Sequence, residues 1–136
     1  MNACGPYIQD KDLDNLAGKL NTLYENDVLV LAGNTPSYTV NHMVSILKKL
    51  QSDGIKVVLD TDAQLVKKML STKLFLLKTT KEEVRALVSY PVETTEDMVH
   101  AAKDLHAQGV ENVMILDISG HAVLASKEGT FQCEVL

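Results

Sequence analysis

Small polar and charged residues collect where the apolar runs of this sequence end: Gly33, Asn34 and Thr35; Asp60, Thr61 and Asp62; Lys78, Thr79 and Thr80; Asp117, Ser119, Gly120 and His121. Asp60 and Asp117 have the chemistry of a general base or of an oxygen ligand for a hard cation. A short carboxylate after an apolar run is also a routine turn or helix-cap residue, and that reading is the more economical one. Lys78 can neutralise a phosphate as a point charge, or stand solvated at a rim. Glu83 could reach a metal through water, although Thr80-Lys81-Glu82-Glu83 already gives it work as the far half of a capping box. His121 beside Ser119 pairs a base with a nucleophile, but two residues apart in a turn is poor geometry and no carboxylate is fixed to orient the imidazole. His42, His100 and His106 occupy exposed or boundary helix positions without ligand spacing. Neither a Walker loop nor a dinucleotide fingerprint is present.

These groups need elements to bring them together. Leu13, Leu16, Ala17, Leu20 and Leu23 recur at helical spacing between Asp10 and Tyr24, with Asp10 as the expected N-cap. Val28 to Leu31 reads as a short buried strand ending in Ala32-Gly33-Asn34-Thr35-Pro36. A helix bearing Val40, Met43, Val44, Leu47 and Leu50 on one face then runs to Gly54, whose backbone freedom suits a helix C-terminus. Val57 to Leu59 is a second strand, Leu65 to Leu70 a short helix, and Leu74 to Leu77 a third strand. Helices opening at Thr80 and Thr94 follow, the second closed by Gly109. Val113 to Leu116 is a fourth strand, and Ala122 to Ala125 with Phe131 to Val135 predict an antiparallel hairpin around Glu128-Gly129. Aliphatic strands alternating with helices imply a mostly parallel sheet with helices on both faces. Ligands of such sheets bind beyond the carboxyl ends of the strands, so all four polar groups are expected on one rim.

Residues 1–136 form one α/β domain without an internal linker. Aromatic residues are only 4% and Trp is absent, so the core must be aliphatic. A net charge of -5, with no concentrated Lys/Arg face, argues against nucleic acid. No apolar run reaches the ~18 residues of a membrane span, and no signal-peptide pattern is seen. Cys4 and Cys133 have no metal-ligand spacing and read as free thiols of a reducing, cytoplasmic setting.

Taken in order, the rim segments resemble a specific family. Asn-Ala-Cys-Gly-Pro-Tyr-Ile (residues 2–8), Ala-Gly-Asn-Thr-Pro (32–36), Val-Val-Leu-Asp-Thr (57–61), Lys-Thr-Thr-Lys-Glu-Glu (78–83), the helix from Thr94 to Gly109 and the stretch Val113 to Ala125 follow one another as in the middle of a ribokinase-like (PfkB) carbohydrate kinase. The closest branch is that of 1-phosphofructokinase and tagatose-6-phosphate kinase. No single motif is strong; the concordance of the segments in order carries the resemblance.

The resemblance implies a three-layer ribokinase-like fold and transfer of the γ-phosphoryl of ATP, with Mg²⁺, to a sugar-phosphate hydroxyl. It places Lys78, Asp60 and Thr80 at a phosphate and nucleotide edge, Gly33 and Asn34 on a substrate-side loop, and Glu83 toward the metal. It implies no catalytic residue within the chain, because the family's Gly-Ala-Gly-Asp base and anion hole have no counterpart among these residues, and neither does the N-terminal sugar-binding and lid part. Within the matched part, Thr80 replaces the Asn of the family's Lys-Pro-Asn-x-x-Glu. Leu116-Asp117-Ile118 stands where the family has Ser-Leu-Gly, which removes a hydroxyl and a permissive backbone position. The expectation is a fragment or truncated relative of a phosphosugar kinase, inactive alone and with impaired nucleotide binding. The alternative is a non-catalytic binding or assembly module on the same fold. A flavodoxin-like receiver is disfavoured because the early acidic pair it needs is missing. Sheet strands without their usual neighbours leave an open edge, and self-association through it is expected.

Overall fold

A computed structural model describes residues 5–134. Six strands form one sheet in the order of the chain: β1 (Val28–Gly33), β2 (Lys56–Thr61), β3 (Leu76–Thr80), β4 (Asn112–Leu116), β5 (His121–Ser126) and β6 (Gly129–Glu134). The first four are mutually parallel, and β5 and β6 return antiparallel as the expected hairpin. Val135, assigned to that hairpin from sequence, lies outside the described residues, as do Asn2, Ala3 and Cys4.

The helices are α1 (Asp10–Leu20), α2 (Val40–Ser52), α3 (Ala63–Met69), α4 (Lys81–Val84) and α5 (Thr95–Gln108). Helix α1 starts one residue earlier than Asp10 as a cap would require: Gln9 is the N-cap, and its amide donates to the Asp12 carboxylate at 2.8 Å. The helix stops at Leu20, where the Thr22 hydroxyl donates to the Lys19 carbonyl at 2.8 Å, and Leu23 still packs on the core from the turn. Gly54, with φ of 85°, follows the Asp53 C-cap of α2 as expected. Thr94 caps α5, its hydroxyl accepting from the Asp97 amide at 3.1 Å while the Asp97 carboxylate accepts from the Thr94 amide at 3.1 Å. None of the helices among the described residues is long and apolar enough to cross a membrane.

The helices cover one face of the sheet, where the sequence predicts both faces covered. Every parallel connection steps to the next strand in the same direction. Because such crossovers are right-handed, each one deposits its helix on the same side. Strand register shows the result. Val57, Leu59, Leu77, Val113, Ile115, Val123 and Ala125 share one face and are 0–1% exposed. Alternate positions carry Val28 at 52%, Val30 at 58% and Phe131 at 53% exposure, and none of these packs against the core cluster. Val28 to Leu31 is therefore an edge strand with one wet face: Leu29 and Leu31 reach the core, whereas the valines between them do not. A run of aliphatic residues cannot report which of its faces has a neighbour.

Candidate functional site

The carboxyl ends of β1 and β2 meet the start of α4 around a cleft of about 440 Å³. Its walls are Gly33 and Asn34 after β1, Asp60, Thr61 and Asp62 after β2, and Glu82 and Glu83 on α4. The parallel register, Ala32 opposite Asp60 and Gly33 opposite Thr61, brings the first two groups level. The Thr35 amide donates to the Asp62 carboxylate at 2.8 Å, and the Thr35 and Thr61 hydroxyls lie 3.1 Å apart, so the two loops are stitched together.

Lys78 and Thr80 belong to β3 itself, not to the loop beyond it, since that strand begins at Leu76 and runs through Thr80. Leu74, expected in the strand, is buried in the turn before it. Strand alternation sends Lys78 to the open face of the sheet, where its ammonium lies 3.1 Å from Asp60. Both partners are more than a third exposed, so the pair contributes at most about 1 kcal/mol. The Thr80 hydroxyl accepts from the Glu83 amide at 3.1 Å and caps α4. Only that half of the expected capping box forms. The Glu83 carboxylate instead lies 3.5 Å from the Thr79 hydroxyl, which leaves it at the cleft wall.

The fourth polar group does not line this cleft. Asp117 accepts from the Ser119 hydroxyl at 2.7 Å, and the Lys81 ammonium stands 3.3 Å from its carboxylate. The Ser119 hydrogen bond first, and Lys81 second, hold the Asp117 carboxyl below the usual carboxylate range. His121 does approach Ser119, with its Nδ1 2.9 Å from the hydroxyl oxygen, and Glu134 lies 3.8 Å from Nε2. The sequence reading of that pair as poorly placed is thus corrected in distance. The hydroxyl nevertheless has a carboxylate acceptor in Asp117, and the group sits in an exposed turn beside Ile118, which is 97% exposed. With its proton directed to Asp117, the Ser119 hydroxyl is not donating to the imidazole, so the pair lacks the nucleophile-to-base hydrogen bond of a Ser-His arrangement. His42 lies 3.5 Å from Asp10 and 3.2 Å from Asp14, joining α1 to α2, and His106 Nδ1 lies 2.7 Å from the Val110 carbonyl.

Sequence reasoning placed Asp62 on the rim without assigning it a role. Its Oδ1 is buried without a hydrogen-bond partner, beside a cleft that already carries Asp60, Glu82 and Glu83. The lining includes no Lys or Arg, so the cleft repels a bare phosphate and favours a cation or a neutral polyol. Among the described residues, no three His, Cys, Asp or Glu side chains converge on one point as a metal site. The Mg²⁺ expected from the resemblance therefore does not fit as a protein-held ion. A cation here would need most of its ligands from an arriving phosphate and from water.

The sequence matches the pfkB family of carbohydrate kinases over residues 1–135. The 1-phosphofructokinase of Borreliella burgdorferi is 26% identical over 136 residues, covering 99% of this chain and 44% of that protein. That of Bacillus subtilis is 28% identical over 136 residues, covering 99% of this chain and 45% of that protein. The fold superposes on phosphofructokinase-2 from Escherichia coli, crystallised with fructose-6-phosphate, with a TM-score of 0.86 and 18% identity over 93% of this chain and 43% of that one. The chain thus spans less than half the length of the curated relatives it matches.

Proposed function

The chain belongs to the pfkB family of carbohydrate kinases, and from that premise we propose that it is the central portion of an ATP-dependent phosphosugar kinase of the 1-phosphofructokinase type, without turnover of its own. The supporting observation is the convergence of Gly33, Asn34, Asp60 and Glu83 on one cleft at the carboxyl ends of adjacent parallel strands, with Lys78 tied to its wall through Asp60. In this reading Gly33 and Asn34 face the neutral hydroxyl end of the sugar phosphate, while Lys78, Asp60 and Thr80 mark the phosphate edge and Glu83 the approach of the nucleotide's Mg²⁺. The acidic lining supports ATP entering only as its magnesium complex, since free nucleotide would meet several carboxylates and no unpaired cation.

Phosphoryl transfer requires a positioned base for the hydroxyl and donors for the migrating group. The cleft supplies carboxylates but no cluster of donors, and its one nearby ammonium is already paired. Purified chain given ATP, Mg²⁺ and fructose 1-phosphate or tagatose 6-phosphate is expected to form no product in a coupled ADP assay. Turnover abolished by Lys78→Ala would overturn the inactive assignment. A second reading, a non-catalytic assembly module, is favoured by Thr80, whose hydroxyl is spent on capping α4. Calorimetry with the magnesium complex of ATP separates the two. Binding weakened by Lys78→Ala supports the kinase portion, and heats at the dilution level for both proteins support the module.

A further inference from the structure

We propose that the carboxyl ends of β3 and β4 form a small oxyanion site, which this chain fills with its own Asp117 carboxylate. The Ser119 hydroxyl donates to Asp117 Oδ2 at 2.7 Å, and the Lys81 ammonium stands 3.3 Å from each carboxylate oxygen. The Ser119 amide also favours the ionised carboxyl. With the Ser119 proton committed to Asp117, His121 Nδ1, 2.9 Å away, is left to donate to the hydroxyl oxygen. Each donor thus points at one carboxylate, directly or through Ser119. Lys81 falls on an unspecified position of the Lys-Pro-Asn-x-x-Glu motif and Asp117 on the Leu of Ser-Leu-Gly, so the motifs do not account for the pair.

Burial separates this arrangement from an ordinary surface pair. The Lys81 and Asp117 side chains are 19% and 10% exposed, against 44% and 38% for Lys78 and Asp60. An ammonium carries three N–H donors, and Asp117 is the one acceptor that Lys81 has among the described residues. Water can rehydrate Lys78 when Asp60 is lost. Lys81 is too covered for that, and a charge left without its partner in such a place is strongly unfavourable. A free oxyanion entering the vacated space restores the pairing. Asp117 Oδ1 is buried without a hydrogen bond, held by the charge of the ammonium, so the site selects negative charge more than shape. Glu134, 3.8 Å from His121 Nε2, lies beyond the imidazole and makes no pair with Lys81. While Asp117 is in place the site is closed to an arriving phosphate or carboxylate. Both lysines near these strand ends, Lys78 and Lys81, are then neutralised within the chain. The site rests on these contacts and is independent of the kinase assignment.

The experiment is chemical rescue in the 136-residue chain at neutral pH. Asp117→Gly removes a methylene and a carboxylate, the space of one acetate ion. Its urea midpoint is expected to rise with acetate concentration, following the logarithmic dependence of a ligand that binds only the folded state. Sodium chloride at matched ionic strength is the reference. Wild type is expected to respond to acetate no more than to chloride, and so is Asp117→Gly combined with Lys81→Met. Asp60→Gly is expected to behave likewise, because it leaves a lysine open to water. Inorganic phosphate then reports the size of the anion: a response to both ions assigns a phosphate-sized site, and a response to acetate alone a carboxylate site. Should Asp117→Gly not fold in plain buffer, refolding in acetate becomes the readout, with recovery of a cooperative transition as rescue. A midpoint in Asp117→Gly that follows acetate no more than chloride overturns the proposal, as does a fold that no acetate concentration recovers. A response that survives Lys81→Met, or one already present in wild type, places the binding elsewhere and overturns it too.

Discussion

Asp117 closes β4 with its carboxylate accepting from Ser119 at 2.7 Å and with Lys81 3.3 Å away, and these contacts hold its pKa down. A carboxyl with a lowered folded-state pKa stabilises the fold fully above the unfolded value of about 3.9 and loses that contribution as the pH falls through the folded value. Asp117→Asn removes the charge and leaves the Lys81 ammonium, only 19% exposed, without its partner. The variant is expected to unfold at lower urea than wild type near neutral pH, and the gap between them to close as the pH drops below about 4. Urea midpoints across that range test the sign; a gap independent of pH would show that Asp117 acts through packing instead. Asp97 is lowered for a related reason, its carboxylate accepting from the Glu93 and Thr94 amides, so the same acid limb has a second contributor at the start of α5.

Elements in this fold are set by their ends more than by their middles. Gly109 ends α5 with φ of 130°, and a Cβ built there would stand 3.3 Å from the Leu70 carbonyl oxygen, which is backbone and cannot swing away. Gly109→Ala is therefore expected to cost about 1–3 kcal/mol, more than the ~1 kcal/mol for Thr94→Ala at the other end of the helix. Equilibrium urea melts of the two variants would rank them, and the opposite order would show that the backbone at Gly109 relaxes freely. Both ends were legible in the sequence, because capping and left-handed backbone are chemistry local to a few residues. So were the strand-helix alternation and the return hairpin, whose apolar runs and turn residues lie close together in the chain. The covering of β1 was not legible, since Val28 and Val30 have the composition of buried strand residues whether or not a layer lies above them. The Lys81–Asp117 pair joins residues 36 apart and leaves no mark in spacing. Gly33, Asn34 and Asp60 could be grouped in advance because parallel strands put their carboxyl ends together. Asp62 could be placed with them, but its unpartnered oxygen could not be read before the loop from Thr35 was seen to satisfy only one side of the carboxylate.

On the scale of the molecule, one-sided covering means that stability is concentrated where helix and sheet interlock, and this is unequal along the chain. At the C-terminal end, Val123 and Ala125 of β5 are 0% and 1% exposed and lie under α5, whose Met98, Ala101 and Leu105 are all 0% exposed. At the N-terminal end, α1 contributes Leu13 as its one buried residue, with Ala17 and Leu20 packed at the margin of the core. Sheet order matches chain order, so removing either end takes away an outer piece without breaking a crossover in between. The energetic consequences differ. A chain beginning after Asn21 gives up about one buried leucine and two partial contacts, on the order of 2–4 kcal/mol, which a domain with ~5–15 kcal/mol of stability can survive. A chain ending at Gly120 bares the inner face of α5 and the outer edge of β4 together, and the uncovered Met98, Ala101 and Leu105 are fully buried in the intact fold. The first truncation is expected to keep a single cooperative urea transition at a lower midpoint. The second is expected to lose the sharp transition and the near-ultraviolet dichroism while keeping helical signal, because secondary structure outlasts packing when a core is opened. A sharp transition in the chain ending at Gly120, with its loss in the chain lacking α1, would reverse the argument and place the organising contact between α1 and α2.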